Sequence, residues 1–256
     1  MSLRNTYAAA ALASLLLTAA RVVDAAPLPA EPNIAAAIAD PTRGNMGAVD
    51  ARRHIAEVMR FSGVKPGDRI VDLIPGSGYF TRVFARIAGA RGHVYMIWPN
   101  EYANVAHPDP ENSIKLSREP GYSNLSVIQQ PAAAFATPEP VDLVFTAQNY
   151  HDYPDKFMGF VDPVAFGRAV YRALKPGGTF LIIDHVAQSG SAMRDIERLH
   201  RIDPATVKAQ LLSVGFTFAG ESAALRNPAD DHTRIVFDPA IRGRTDQFIY
   251  KFRKPF

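Results

Sequence analysis

The sequence contains no cysteine, which excludes a disulfide, a thiolate zinc site and a lipidated cysteine anchor together. It also lacks any run of five or six like charges. Its 28 basic and 25 acidic residues leave a net charge of +3 spread along the chain. Scattered charge of that size describes an ordinary solvated surface, and no nucleic-acid partner is expected. Tryptophan occurs once, as Trp98. No apolar run reaches the roughly 20 residues that cross a bilayer as a helix, so no stable membrane anchor is expected in the mature chain.

What is present begins with a distinct first thirty residues. Arg4 supplies a positive start, Tyr7 to Ala20 is almost wholly apolar, and Val23-Asp24-Ala25 offers small-residue cleavage chemistry before Ala26. Residues 1–25 therefore read as a Sec-type signal peptide, there being no twin arginine, and the mature protein as exported to the periplasm. Residues 26–49 are expected to form a leader with a short helix, and residues 50–256 a single α/β domain. With 47% apolar content the chain can bury one full core.

The pattern from Asp50 onward alternates helix and strand. Ile55, Val58, Met59 and Phe61 recur at helical spacing until Gly63 stops the run. Arg69 to Leu73 is a β-branched strand, followed by the turn Ile74-Pro75-Gly76-Ser77-Gly78 and a helix from Tyr79 to Ile87. Further strands are expected at 93–97, 124–128, 141–147, 179–184, 216–221 and 247–252. Asp203-Pro204 marks an N-cap with proline at the first helical position, opening a helix to Val214. These elements predict a Rossmann-like three-layer α/β/α sandwich. Its sheet is seven-stranded and mostly parallel, with an antiparallel last strand.

Two segments carry a resemblance. Val71-Asp72-Leu73-Ile74-Pro75-Gly76-Ser77-Gly78 resembles the acidic residue and glycine turn of class I S-adenosylmethionine-dependent methyltransferases, and Ala173-Leu174-Lys175-Pro176-Gly177-Gly178-Thr179 resembles that family's segment before its fifth strand. More narrowly, Asp72 to Thr81 together with Asn149-Tyr150-His151-Asp152 is similar to a group of exported bacterial predicted methyltransferases. The resemblance implies S-adenosylmethionine as cofactor, held by Asp72, Pro75, Gly76 and Gly78, with Trp98, Glu101 and Asn149 completing its site. Asp72 is implied to order the loop and the amino-acid end of the cofactor. Ile74 stands where the family has its first glycine. A β-branched residue resists positive φ, so the loop is expected to take a different path. Strand two ends without the family's ribose-binding acid, leaving Glu101 or Asn100 to replace it and Trp98 either to stack on the adenine or to serve as an ordinary sheet-edge aromatic.

Ligands of open α/β sheets bind beyond the carboxyl ends of the strands. There the fourth strand ends in Asn149-Tyr150-His151-Asp152, and His151 and Asp152 are the expected catalytic pair, addressing the acceptor's proton. The structural alternative is a helix cap and a hydrogen-bonded histidine. Asp184-His185 is the next pair, and the stretches around His200 and His232 read as caps and turns that can also line an acceptor pocket. No HxxxH-type spacing is present, so no metal is expected. The expected activity is methyl transfer to a small-molecule acceptor, and the competing reading is an exported non-catalytic small-ligand-binding protein on a degenerate methyltransferase fold. Acceptor and oligomeric state are not legible in the sequence.

Overall fold

The computed structural model describes residues 32–256. The expected signal peptide and the start of the leader lie outside the described residues. The elements are α1 (Pro32–Ile38), α2 (Asp50–Arg53), α3 (Ile55–Ser62), β1 (Arg69–Leu73), α4 (Tyr79–Ala88), β2 (His93–Pro99), α5 (Asn100–Ala103), α6 (Asp109–Leu116), β3 (Leu125–Gln130), β4 (Val141–Ala147), α7 (Pro163–Ala173), β5 (Leu174–His185), α8 (Ile196–Leu199), α9 (Pro204–Val214), β6 (Thr217–Ser222) and β7 (Gln247–Arg253).

The strands form one sheet in the order β3-β2-β1-β4-β5-β7-β6. β1 pairs in parallel with β2 and β4, and β7 runs antiparallel to β5 and β6. This is the expected seven-stranded, mostly parallel α/β sheet. Both of its faces are apolar because successive side chains of a strand point to opposite sides. Val71, Leu73, Phe180 and Ile182 face one core with Phe166 and Leu211 of α7 and α9. Ile70, Leu181 and Ile183 face the other, with Ile55, Val58 and Phe84 of α3 and α4.

Side-chain caps start α7 and α9, the latter where the sequence placed it. Asp162 accepts from the Val164 amide at 3.0 Å, Asp203 from the Ala205 amide at 2.9 Å, and each precedes a proline that needs no amide partner. Strand β5 begins earlier than expected. Leu174 already pairs with Val141, so the Lys175-Pro176-Gly177-Gly178 turn lies inside the strand as an irregularity.

Residues 32–49 are fastened to the domain. Ile34 and Ala37 of α1 are buried in the α3–α4 core. A 3-10 segment, Pro41–Val49, follows. Within it the buried Arg43 donates to both oxygens of Asp50 at 2.8 and 2.6 Å, and Tyr79 donates to Asp50 at 2.7 Å. These bonds fix the start of α4, the helix that opens beside the glycine turn.

Candidate functional site

The chain leaves β1 and β4 in opposite directions across the sheet, and a crevice opens between their carboxyl ends. It forms a cavity of about 630 Å³ walled by the turns after β1 and β4, the ends of β2 and β5, and the segments carrying Tyr102, Asp109, His200 and Phe237. That volume lies within the usual range for a small-molecule site.

One end is bare backbone. Gly76 has φ 55, and a Cβ placed there would meet no atom within 4 Å. Arg53 of α2 joins the same wall, its guanidinium 4.7 Å from the Tyr79 ring centroid and without an acidic partner among the described residues. Ile74 corrects the sequence expectation. It adopts φ 55, so the loop keeps the left-handed bend that glycine normally supplies. The bend survives because Ile74 donates its amide to the Ile97 carbonyl at 2.9 Å and buries its side chain in the core. Full burial of an isoleucine is worth about 1.5–3 kcal/mol, against about 1–2 kcal/mol for the left-handed conformation.

Asp72 lies in the cavity floor, 2% exposed, accepting from the Thr81 hydroxyl at 2.5 Å. Burial pushes its carboxyl up to about 7, with the Thr81 bond opposing the rise. A carboxyl raised in the folded state binds its proton there more tightly than in the unfolded chain, so stability falls as pH rises from about 4 to about 7. Asp72→Asn is expected to be the more stable protein above pH 7, by up to about 4 kcal/mol, with the difference closing toward pH 4. Thermal melts across that range check it, and a difference independent of pH would contradict it.

The middle of the cavity is aromatic. Trp98 lines it from the end of β2, fully buried, its indole N–H donating to Ser113 of α6 at 3.1 Å. Tyr102 lies beside it and accepts from Asn149 at 3.1 Å. Glu101 does not supply the missing acid. Its carboxylate is occupied by the Ala132 amide at 2.9 Å, and it is not among the residues lining the cavity. Asp109, at the start of α6, is an acidic residue that does line the cavity. Gly78 also lies outside the cavity lining. A Cβ on it would stand 2.9 Å from Leu116 Cδ2, so its glycine serves the close packing of α4 on α6.

The far end carries the expected His151 and Asp152, joined by His200. His151 is 2% exposed, its Nδ1 2.7 Å from Asp184 and its Nε2 3.2 Å from Asp152 and 3.3 Å from His200 Nδ1. Burial by itself would lower the His151 pKa, but the flanking carboxylates of Asp184 and Asp152 outweigh it and hold the ring well above its ordinary value. Asp152 also resists burial and is held low by its bonds to His151, His200 and Asn149. His185 lies in the wall with its Nδ1 2.8 Å from Thr245 Oγ1, and burial with the nearby positive charge of His151 drives its pKa well down. His232 is elsewhere, 3.0 Å from Asp246 and outside the cavity.

No family model matches the chain. Among curated proteins it is similar to the ubiquinone/menaquinone biosynthesis C-methyltransferase UbiE of Shewanella sp. (strain W3-18-1), 24% identical over 191 residues, which cover 73% of this chain and 70% of that protein. The same enzyme of Vibrio cholerae serotype O1 is 31% identical over 128 residues, 48% of this chain and 43% of that protein. Among solved structures, an S-adenosylmethionine-dependent methyltransferase from Aquifex aeolicus covers 84% of this chain with 98% of its own, at TM-score 0.53 and 20% identity. The fold is that of class I methyltransferases.

Fold alone does not fix chemistry. The [4+2]-cyclase SpnF shares the class I fold with this chain at TM-score 0.58 and 18% identity, over 80% of each chain. The reading of the site therefore rests on its own residues. Asp72, Pro75, Gly76, Trp98, Asn149, His151 and Asp152 converge on one cavity. Arg53, Tyr102, Asp109 and His200 are added to them by tertiary packing.

Proposed function

We propose that the chain is a methyltransferase that takes S-adenosylmethionine as donor and a small, largely apolar acceptor carrying a hydroxyl or similar polar group. The observation that carries this reading is the open cavity, with bare Gly76 backbone and Arg53 at one end and His151, Asp152 and His200 at the other. The residues present fit the donor. Arg53 offers a cation for its carboxylate, Asp72 a carboxyl that ionises when the donor's ammonium lies beside it, and Asp109 an acceptor for its ribose hydroxyls. When bound, the donor supplies a sulfonium methyl ready for transfer. The chain's part is to hold the two reactants close and aligned, which can supply much of the rate without a dedicated catalytic group. His151, its proton held between two carboxylates, orients the acceptor's polar group. Val105, Phe157 and Phe237 stand exposed at the mouth, which suits an apolar acceptor.

Ile74 and Trp98, both buried, leave a crevice of about 630 Å³ unfilled, which supports room for the donor. Export to the periplasm remains our proposal from residues 1–25, and it demands a donor supply outside the cytoplasm. Calorimetric titration with S-adenosylhomocysteine tests the donor. Micromolar affinity is expected, and Arg53→Ala should weaken it about tenfold, the worth of one charge-assisted bond. No heat at millimolar ligand would overturn the reading.

A further inference from the structure

The three polar atoms at the acceptor end, in mutual contact, also stand at the spacing of ligands that share one metal ion. His151 Nε2, Asp152 Oδ1 and His200 Nδ1 form a triangle with sides of 3.2, 3.3 and 3.6 Å. Nitrogen and oxygen ligands about 2.1 Å from one tetrahedral ion stand about 3.4 Å apart, and about 3.0 Å apart around an octahedral one. All three separations fall at or near that interval. We propose that His151, Asp152 and His200 form a binding site for a divalent transition-metal ion of the zinc class, with its remaining coordination position open to the cavity.

Three further features favour an ion here. The ring of His151 is oriented from behind: its Nδ1 donates to Asp184 at 2.7 Å, so Nε2 becomes the ligand atom once the ion displaces its proton, with the carboxylate–histidine support that metal sites use. Asp184 is itself fixed by accepting the backbone amides of His151 and His185 at 2.8 and 2.7 Å, so this orientation is built into the ends of β4 and β5. His200 sits in the left-handed region at φ 52, a conformation uncommon for a non-glycine residue, where it turns its ring against Phe237 and toward His151. Two histidines and one carboxylate suit zinc, or iron and its neighbours, over magnesium or calcium, which prefer all-oxygen sites.

The spacing rule applied to the sequence could not find this site, because His200 lies beyond β5, on the turn that follows α8. Two consequences separate cleanly. Ion binding needs no donor and stands apart from the methyltransferase reading. Only the role of the ion rests on that reading: the open position would take an oxygen of the acceptor and ease loss of its proton to solvent.

Untagged protein, stripped with chelator and dialysed against zinc chloride, is expected to retain one zinc ion per chain. Cobalt(II) in its place should give the intense visible bands of a low-symmetry, four-coordinate site. His200→Ala, at the cavity rim, and Asp152→Asn should each lower zinc affinity at least about 100-fold, and Asp184→Asn about 10- to 100-fold by releasing the His151 ring from its support. His54→Ala, a surface histidine of no part in the cluster, should leave it unchanged. Zinc that fails to bind, or binding that survives both His200→Ala and Asp152→Asn with the fold intact by circular dichroism, would overturn the site. Affinity for S-adenosylhomocysteine, titrated separately on the stripped protein, reports on the donor reading whichever way the zinc result falls.

Discussion

Gly76→Val is expected to reduce affinity for S-adenosylhomocysteine by at least about 100-fold, close to 3 kcal/mol, while the protein stays folded. Gly76 lines the cavity at φ 55, and a side chain there would enter open space. No neighbour clashes with it, so the folded state bears only the strain of a β-branched residue in the left-handed region, about 1–3 kcal/mol. A domain stable by about 5–15 kcal/mol tolerates that. Ile74, two residues earlier, already holds such a conformation. The ligand bears the larger loss, because a branched side chain would occupy the place where backbone must approach it. Gly76→Ala separates the two effects: it carries much of the same strain with a single methyl, and should lose far less affinity. Calorimetry for binding and circular dichroism melts for the fold check both variants. Unchanged affinity in Gly76→Val would remove this turn from the donor site.

The parts of this architecture that were legible in the sequence are those set by local chemistry. Arg69 to Leu73 and Val141 to Ala147 are short β-branched or apolar runs that fold as buried strands, and Asp203-Pro204 marks a helix start by capping alone. The site was half legible for the same reason: Gly76 and His151 stand just beyond strand ends, where open sheets bind ligands. Position along the chain failed for Glu101, whose side chain turns to the Ala132 amide once α5 folds. Propensity failed for Ile74, because a β1–β2 hydrogen bond and burial outweigh the penalty of positive φ. Arg53 and Asp109 carry no local signal at all. They reach the cavity only because α2 is anchored through Asp50 to Tyr79 and because α6 packs over Trp98.

Arg201→Ala is expected to cost about 3–5 kcal/mol of stability, a fall of about 10 °C in Tm for a chain of this size. Arg201 is fully buried. It donates to Asp230 at 3.1 Å, with a second ion-pair contact at 2.9 Å, to the Val186 carbonyl at 2.9 Å and to the Arg234 carbonyl at 2.9 Å. Asp230 in turn accepts the amides of Asp246 and His232 at 2.7 and 3.1 Å. Removing the guanidinium leaves a carboxylate 4% exposed without an ion-pair partner among the described residues, and that uncompensated charge makes up most of the loss. Arg201→Met combined with Asp230→Asn removes both charges of the pair and should recover part of it. The consequence for function follows from what the pair holds. The long segment between β6 and β7 has no helix or strand of its own, yet Val236 and Phe237 on it wall the acceptor end of the cavity. The Arg201–Asp230 pair and the Val236 amide bond to Leu199 at 3.2 Å tie it to the body of the domain. Arg201→Ala should therefore loosen the acceptor wall and spare the donor end, where Gly76 and Arg53 belong to other elements. Donor affinity measured well below the lowered Tm should stay within a few-fold of the wild type. A loss comparable to that of Gly76→Val would mean that this segment supports the whole cavity.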